Sequence, residues 1–350
     1  MAINLATKYG KEIEKAFTHD SYIKGHCKAK VDFTGVKTVR IYMLNTTPVV
    51  DYQRSGSSRY GELKDIQDTV LEYTMTQDKA FNGVVDKGDE AEQTIANKAG
   101  QWLRQEMREQ VVPAADRYAI AKIANYGHVA GMAKPDKTKI VSAIFEARTW
   151  MNNHRVPNKG RVLYLPASFT PAVMLSSEWI GLDNLAGKQL PTGTIGRVAG
   201  FTIIEVPDDM FQADLYFLAM HEGAAAFPYK INSTKVHEDP VGINGAVVEG
   251  RQLYDVFVLG SKADAVYAAV ATAAKLPNPT ITDTTKTAVT LASSGASKIW
   301  YTVDGSDPRF SMTREVYTKA FDGTGKLVRA VAMDTENKFS SDIAEKQVAS

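Results

Sequence analysis

The segment from Thr74 to Thr94, TMTQDKAFNGVVDKGDEAEQT, decides the reading of the chain because it changes period partway along. Up to Thr76 it is β-prone; after the Gly83 and Gly88 punctuation, Ile95, Ala99, Trp102, Leu103 and Met107 recur at helical spacing. That spacing predicts one amphipathic helix from about Glu90 to Gln110, spanning about 30 Å at the helical rise.

Upstream, Val36 to Leu44 alternates Val39, Ile41 and Met43 against Arg40 and Tyr42, a half-buried strand pattern. Val49, Val50 and Tyr52 resume it after Pro48, Gln53 to Gly61 is polar and rich in Ser, Gly and Arg, and Thr69 to Thr76 is again extended. A two-stranded loop of this kind cannot bury a core by itself and needs a neighbour to pack on. Before it, Tyr9, Ile13, Ala16 and Phe17 mark a short amphipathic helix from Lys8 to Phe17 in an N-terminal arm.

Downstream, further helices are predicted through Ala114 to Asn125, Thr138 to Asn153 and Pro171 to Trp179, the last with Thr170 as N-cap and Pro171 at N1. Short apolar runs at Arg161 to Leu165, Phe201 to Val206, Leu215 to Met220 and Tyr254 to Leu259 read as strands. AVYAAVATAAK, ending at Lys275, reads as an alanine-rich helix, and Leu276-Pro277-Asn278-Pro279 forbids its continuation and marks a domain boundary. Beyond it the alternation is wholly β, around Val289, Ile299, Tyr301 and Val331, and a small sandwich is the expected solution. The fold class is therefore α+β followed by an all-β domain.

Composition narrows the function. The 350 residues exceed one ordinary core, and 41 Lys+Arg against 40 Asp+Glu force no basic face for nucleic acid. Cys27 is the single cysteine, which excludes an internal disulfide and fits a reducing compartment. No apolar run approaches the length of a membrane span, and the N-terminus is amphipathic and charged, so neither secretion nor membrane insertion is expected.

Candidate chemistry is thin. His19, His26 and Cys27 lack a fourth metal ligand; His221-Glu222 begins a zinc-helix motif, but Ala225 stands where the second His must fall; His237-Glu238-Asp239-Pro240 reads as a solvated turn. Gly323-Thr324-Gly325-Lys326 lacks the spacing of a phosphate loop and precedes a strand. Asp304, Ser306 and Asp307 form a turn, with calcium as the weaker alternative. No catalytic, cofactor-binding or metal residue is assigned.

Three segments carry a resemblance: Thr74 to Thr94, then IGRVAGFTIIEVPDDMF from Ile195, then VVEGRQLYDVFVLGSKADAVYAA from Val247. Together with the order of elements they resemble major capsid proteins of tailed bacteriophages with the Hong Kong 97-type fold, over about Ala2 to Ala274. The tail, SKIWYTVDGSDPRFS and LVRAVAMDTENKFSSDIA, is similar to immunoglobulin-like modules associated with chitobiases. The resemblance implies an N-terminal arm (1–35), an extended β loop (36–86), a spine helix with the first part of the peripheral domain (87–137), an axial domain (138–229), a return to the peripheral domain (230–275) and an immunoglobulin-like domain (276–350).

It implies a non-enzymatic virion protein, made in the bacterial host cytoplasm. Its copies would form the hexamers and pentamers of an icosahedral head around double-stranded DNA, touched by weak interior contacts. The terminal domain would project outward, with host-surface carbohydrate as its candidate ligand. Only about 35 residues precede the loop, too few for a core, so a separate scaffolding protein is expected, as is a portal. The expected subunit interface comprises Val39, Ile41, Val49 and Val70 of the loop, Trp102 of the spine helix and Arg251 of the returning segment. Some relatives crosslink subunits through a loop Lys; Lys64 and Lys79 are available but match no motif, so a crosslink is the weaker alternative. An encapsulin-like shell enclosing cargo shares the fold, but the C-terminal module argues against it. A carbohydrate-binding surface protein or enzyme with an accessory β module is the rival of another class, and no motif supplies its pocket.

Overall fold

The computed structural model describes residues 21–31, 38–44, 49–55, 58–61, 68–87, 98–176, 194–238, 240–285, 287–334 and 339–349. The helix expected from Lys8 to Phe17, His19, Lys64, the start of the spine helix, Trp179 and Asp239 lie outside these residues.

In chain order the elements are β1 (Thr38–Leu44), β2 (Asp68–Thr74), β3 (Gln77–Asp86), α1 (Lys98–Glu106), α2 (Val112–Tyr126), β4 (His128–Met132), α3 (Ile140–Asn153), β5 (Arg161–Pro166), α4 (Thr170–Met174), β6 (Thr194–Val198), β7 (Phe201–Val206) and β8 (Leu215–His221). There follow β9 (Ala225–Ala226), β10 (Tyr229–Glu238), β11 (Gly245–Tyr254), β12 (Phe257–Val258), β13 (Val266–Ala271), β14 (Thr280–Thr285), β15 (Ala288–Ala292), β16 (Lys298–Thr302), β17 (Glu315–Val316), β18 (Leu327–Met333) and β19 (Ala344–Gln347).

The two helices expected on either side of Val111 are one continuous rod. Pro113 would break an ordinary helix, since it lacks an N–H and its ring crowds the carbonyl four residues back. A π-turn over Met107–Val111 opens the helix just before it, with the Val112 N–H donating to Met107 O. The chain thus passes from α1 into α2 without leaving the helical path, and the wider turn is where the rod accommodates its proline.

The rod's inner face, Ala115, Ala119, Ile120, Ile123 and Ala124, is buried against a six-stranded sheet of order β4-β13-β8-β5-β7-β6. On the opposite face of that sheet lies α3, whose Ile140, Ile144, Ala147 and Met151 are buried. Asp136 supports the start of α3: its Oδ1 accepts from the backbone N–H of Thr138 at 2.9 Å and of Lys139 at 3.1 Å.

Three sequence expectations are corrected here. Val266 to Ala271 is a strand, not part of an alanine-rich helix: β13 lies between β4 and β8, with Val266, Ala268 and Val270 in the core on the α2 side and Tyr267 and Ala269 in the core on the α3 side. Burial on both faces overrides alanine's helix propensity. The run Tyr254 to Leu259 is split, because β11 ends at Tyr254, Asp255 leaves the ladder, and β12 pairs separately with β9. Thr170 is the first residue of α4 and Phe169 occupies the N-cap position, with no side-chain cap; Pro171 sits in the first turn.

β3 was not anticipated as a body strand. It pairs antiparallel with β11 from Gln77↔Tyr254 to Asp86↔Gly245, completing a sheet of order β10-β11-β3. The β1–β2 pair runs antiparallel from Thr38↔Thr74 to Leu44↔Asp68, whereas Val49, Val50 and Tyr52 are in no strand. At the C-terminus, the β14-β15 pair and the β17-β16-β18-β19 sheet share clusters in which Val289 packs with Val328 and Val348, and Leu291 with Tyr301 and Ala330. The architecture is mixed α+β with an all-β C-terminal part.

Candidate assembly surface

The β1–β2 pairing divides the hairpin into two faces, as alternation requires. Val39 lies opposite Tyr73 and Ile41 opposite Leu71. Leu71 and Tyr73 are buried, and Val39, Ile41 and Met43 pack partly buried against the chain's own core. The other face carries the Arg40–Glu72 ion pair at 3.0 Å and Tyr42 opposite Val70, with Tyr42 68% exposed and Val70 half-buried. Farther out, Val49 is 99% exposed, Val50 and Tyr52 are more than half exposed, and the Tyr52 and Tyr60 rings meet edge-on at 5.0 Å. Apolar groups so exposed make this end of the hairpin a candidate interaction surface.

Trp102 and Arg251, the remaining expected interface residues, lie on the β10-β11-β3 sheet. Trp102 packs on one face, against Phe81 at 6.2 Å between ring centroids and directly over Gly83. Arg251 lies on the opposite face and forms a two-point ion pair with Asp78, Nε–Oδ1 2.9 Å and Nη2–Oδ2 2.6 Å. That face also carries a depression of about 560 Å³ lined by Asn82, Ser233, Lys235, Glu249 and Arg251. Lys79, a crosslink candidate, stands on β3 opposite Gln252.

The root of the hairpin is held by a carboxylate that sequence reading passed over. Asp255 is fully buried and accepts from Thr76 N–H (2.9 Å), Thr76 Oγ1 (3.0 Å), Tyr118 OH (2.8 Å), Lys122 Nζ (2.5 Å) and Val256 N–H (2.7 Å). Burial pulls the Lys122 ammonium below its ordinary range against the opposing pull of Asp255. One carboxylate thus joins the base of β3, the long helix and the β11–β12 link. A charged residue inside the apolar run YDVFVL was the available signal, because a buried charge demands partners.

Two further carboxylates hold the segment 21–28. Asp116 accepts from Ser21 Oγ at 2.6 Å and from the Tyr22 N–H at 2.8 Å, while Glu222 is met by His26 Nδ1 at 3.0 Å and Lys28 Nζ at 2.6 Å. Burial pushes the Glu222 carboxyl up, but the bonds from Lys28 and His26 outweigh it and hold it below its ordinary value. Burial also pushes the Cys27 thiol up to about 12, so it stays protonated at neutral pH.

The remaining chemical candidates make local structural contacts. His221 Nε2 meets Lys159 O at 3.0 Å and its Nδ1 accepts from the Gly223 N–H, and His237 lies 3.3 Å from Glu249. Asp304 accepts from Ser306 N–H, Ser306 Oγ and Thr313 Oγ1, closing the turn around it. The Lys326 N–H donates to Gly323 O in the turn before β18. Among the described residues no group of three or more His, Cys, Asp or Glu is placed to hold a metal ion, and no helix is long and apolar enough to cross a membrane.

No curated protein matches the sequence. Solved structures do match in fold. A chain of Mycobacterium phage Che8 aligns with a TM-score of 0.63 at 20% identity, covering 77% of this chain and 98% of its own. The capsid structure of cyanophage P-SCSP1u aligns at 0.60 and 12% identity, covering 77% and 93%, and the mature capsid of bacteriophage PhiM1 at 0.60 and 15%, covering 77% and 92%. The Fn3 associated family matches residues 289–348. Over about three quarters of its length the chain therefore carries the fold of phage capsid subunits, and it ends in an Fn3-associated domain.

Proposed function

We propose that the chain is the major capsid protein of a tailed phage, assembling as hexamers and pentamers into an icosahedral head around double-stranded DNA. The observation that carries this reading is the extent of the fold match, which takes in more than nine tenths of each phage chain and about three quarters of this one. In this reading 1–35 is the arm, 36–86 the extended loop, 87–137 the spine helix and adjoining peripheral domain, 138–229 the axial domain, 230–275 the return and 276–350 the added domain. A shell needs many moderate contacts repeated by symmetry, and an extended hairpin with exposed apolar groups suits that task.

The exposed Val49 and half-buried Val70 are proposed to meet a neighbouring copy directly. Val39 and Ile41 stiffen the hairpin from its inner face, and Trp102 and Arg251 shape the sheet that a neighbour covers. A separate scaffolding protein and a portal complete the assembly, and packaged DNA is held by weak interior contacts. The C-terminal domain is the candidate carrier of any carbohydrate contact. Negative-stain microscopy of the purified protein, alone and with its scaffolding protein, tests the reading. Closed shells of uniform diameter are expected, and soluble monomers under both conditions would overturn it.

A further inference from the structure

The motif DGSDPRFS, read from sequence as a plain turn, points into the body of the protein. Asp304 gathers Ser306 and Thr313 around itself, and Asp307 holds the Arg309 guanidinium, with Nη2–Oδ2 at 2.7 Å. So aimed, Arg309 Nη1 donates to Tyr126 O at 3.2 Å and Gly127 O at 2.9 Å, where α2 ends. Terminal helix carbonyls lack partners within the helix, and a guanidinium there satisfies them and opposes the negative end of the dipole. Gly127 is extended, and the guanidinium that meets its carbonyl comes from a residue 182 positions away.

The next residue, Phe310, is 3% exposed and lies between Tyr126 at 5.5 Å and Tyr73 at 6.4 Å. Its backbone continues the hairpin: the Glu72 N–H donates to Phe310 O at 3.3 Å, the Met312 N–H donates to Val70 O at 3.0 Å, and Leu71 bridges Ser311 in antiparallel sense. The segment after Pro308 therefore acts as a short third strand on the edge of β2 that β1 leaves open. A second fastening lies beside it, where Ser340 Oγ donates to Asn125 O at 2.6 Å and Phe339 exchanges backbone bonds with Ala274 and Leu276.

We propose that the C-terminal domain is an internal brace: its 307–312 segment clamps the root of the β1–β2 hairpin to the end of the long helix and sets the direction in which the hairpin leaves the body. The domain is thereby a working part of the subunit that presents the assembly hairpin. The consequence for assembly rests on the capsid reading; the brace itself does not.

The test uses the full chain in unassembled form, so a failure of the brace is separable from a failure of the capsid reading. Amide hydrogen exchange is followed in Phe310→Ala and, because that variant can unfold, in Arg309→Gln, which removes the clamp's charge and spares its apolar plug. Exchange across 68–74 is expected to quicken about tenfold or more in either variant, with β5, β8 and β18 keeping their protection. Unchanged exchange across 68–74 in Arg309→Gln would overturn the brace, and so would a general loss of protection in β5 and β8, since the contact would then hold the whole fold rather than the hairpin.

Discussion

Phe81 lies against the bare backbone of Gly250, its cross-strand partner, so closely that a Cβ on Gly250 would stand 2.1 Å from Phe81 Cζ. Gly83, two residues along β3, is covered in the same way by Trp102, whose Cη2 would be 2.6 Å from an added Cβ. Two missing side chains thus let α1 settle on the sheet through Trp102 and Phe81.

Gly250→Ala is accordingly expected to cost about 1–3 kcal/mol through overpacking. Trimming the ring should relieve it, so Phe81→Leu combined with Gly250→Ala should cost less than the sum of the two single changes. Urea denaturation of the four proteins measures both. Strict additivity would show that the ring moves aside freely.

At the hairpin root, Asp255→Ala leaves Lys122, whose side chain is only 17% exposed, without its counterion. Breaking a buried pair from one side costs about 3–5 kcal/mol. Lys122→Met should be comparably damaging, because it strands the fully buried carboxylate. Chemical denaturation decides the matter, and a loss below about 1 kcal/mol for both would show that the pair does not hold the hairpin root.

Acid sensitivity should centre partly on His128. Its ring stacks on Trp150 at 3.6 Å, and burial lowers its pKa from 6.5 to about 4 despite Asp342 at 3.6 Å; Lys275 and His154 add to the lowering and Asp264 opposes it. The unfolded chain therefore takes up this proton first. The contribution is complete above the unfolded value of 6.5 and is lost as pH falls toward 4. It amounts to about 3 kcal/mol at most. Melting temperature against pH for the wild type and His128→Asn should diverge in slope between those two values, and parallel profiles would refute the assignment.

Val49→Asp and Tyr60→Ser change exposed positions, so subunit stability should stay within about 0.5 kcal/mol of wild type. Shell formation should nevertheless fail or slow sharply, because a charge or a lost ring at the hairpin's exposed end disrupts every copy of the contact at once. Thermal melting together with electron microscopy reads both arms. Normal shells from both variants would remove these residues from the interface.

The sequence by itself determined the runs that became β5, β7, β8 and α3, the α+β class, and the change to all-β strands after the prolines at 277 and 279. Each is written in local spacing: one-face periodicity, β-branched content or a residue that cannot continue a helix. Tertiary structure decided the rest. Val266 to Ala271 is a strand because neighbours bury both of its faces, a condition that its alanines do not signal locally. The gap expected between the helices ending near Gln110 and starting at Ala114 is bridged by a π-turn. Asp255 meets Thr76 across 179 positions and Arg309 meets Gly127 across 182, partnerships that no local pattern encodes. Local periodicity says which face of a segment avoids water; only the packed chain says what lies against that face, and here that choice gave the hairpin its root and the terminal turn its grip.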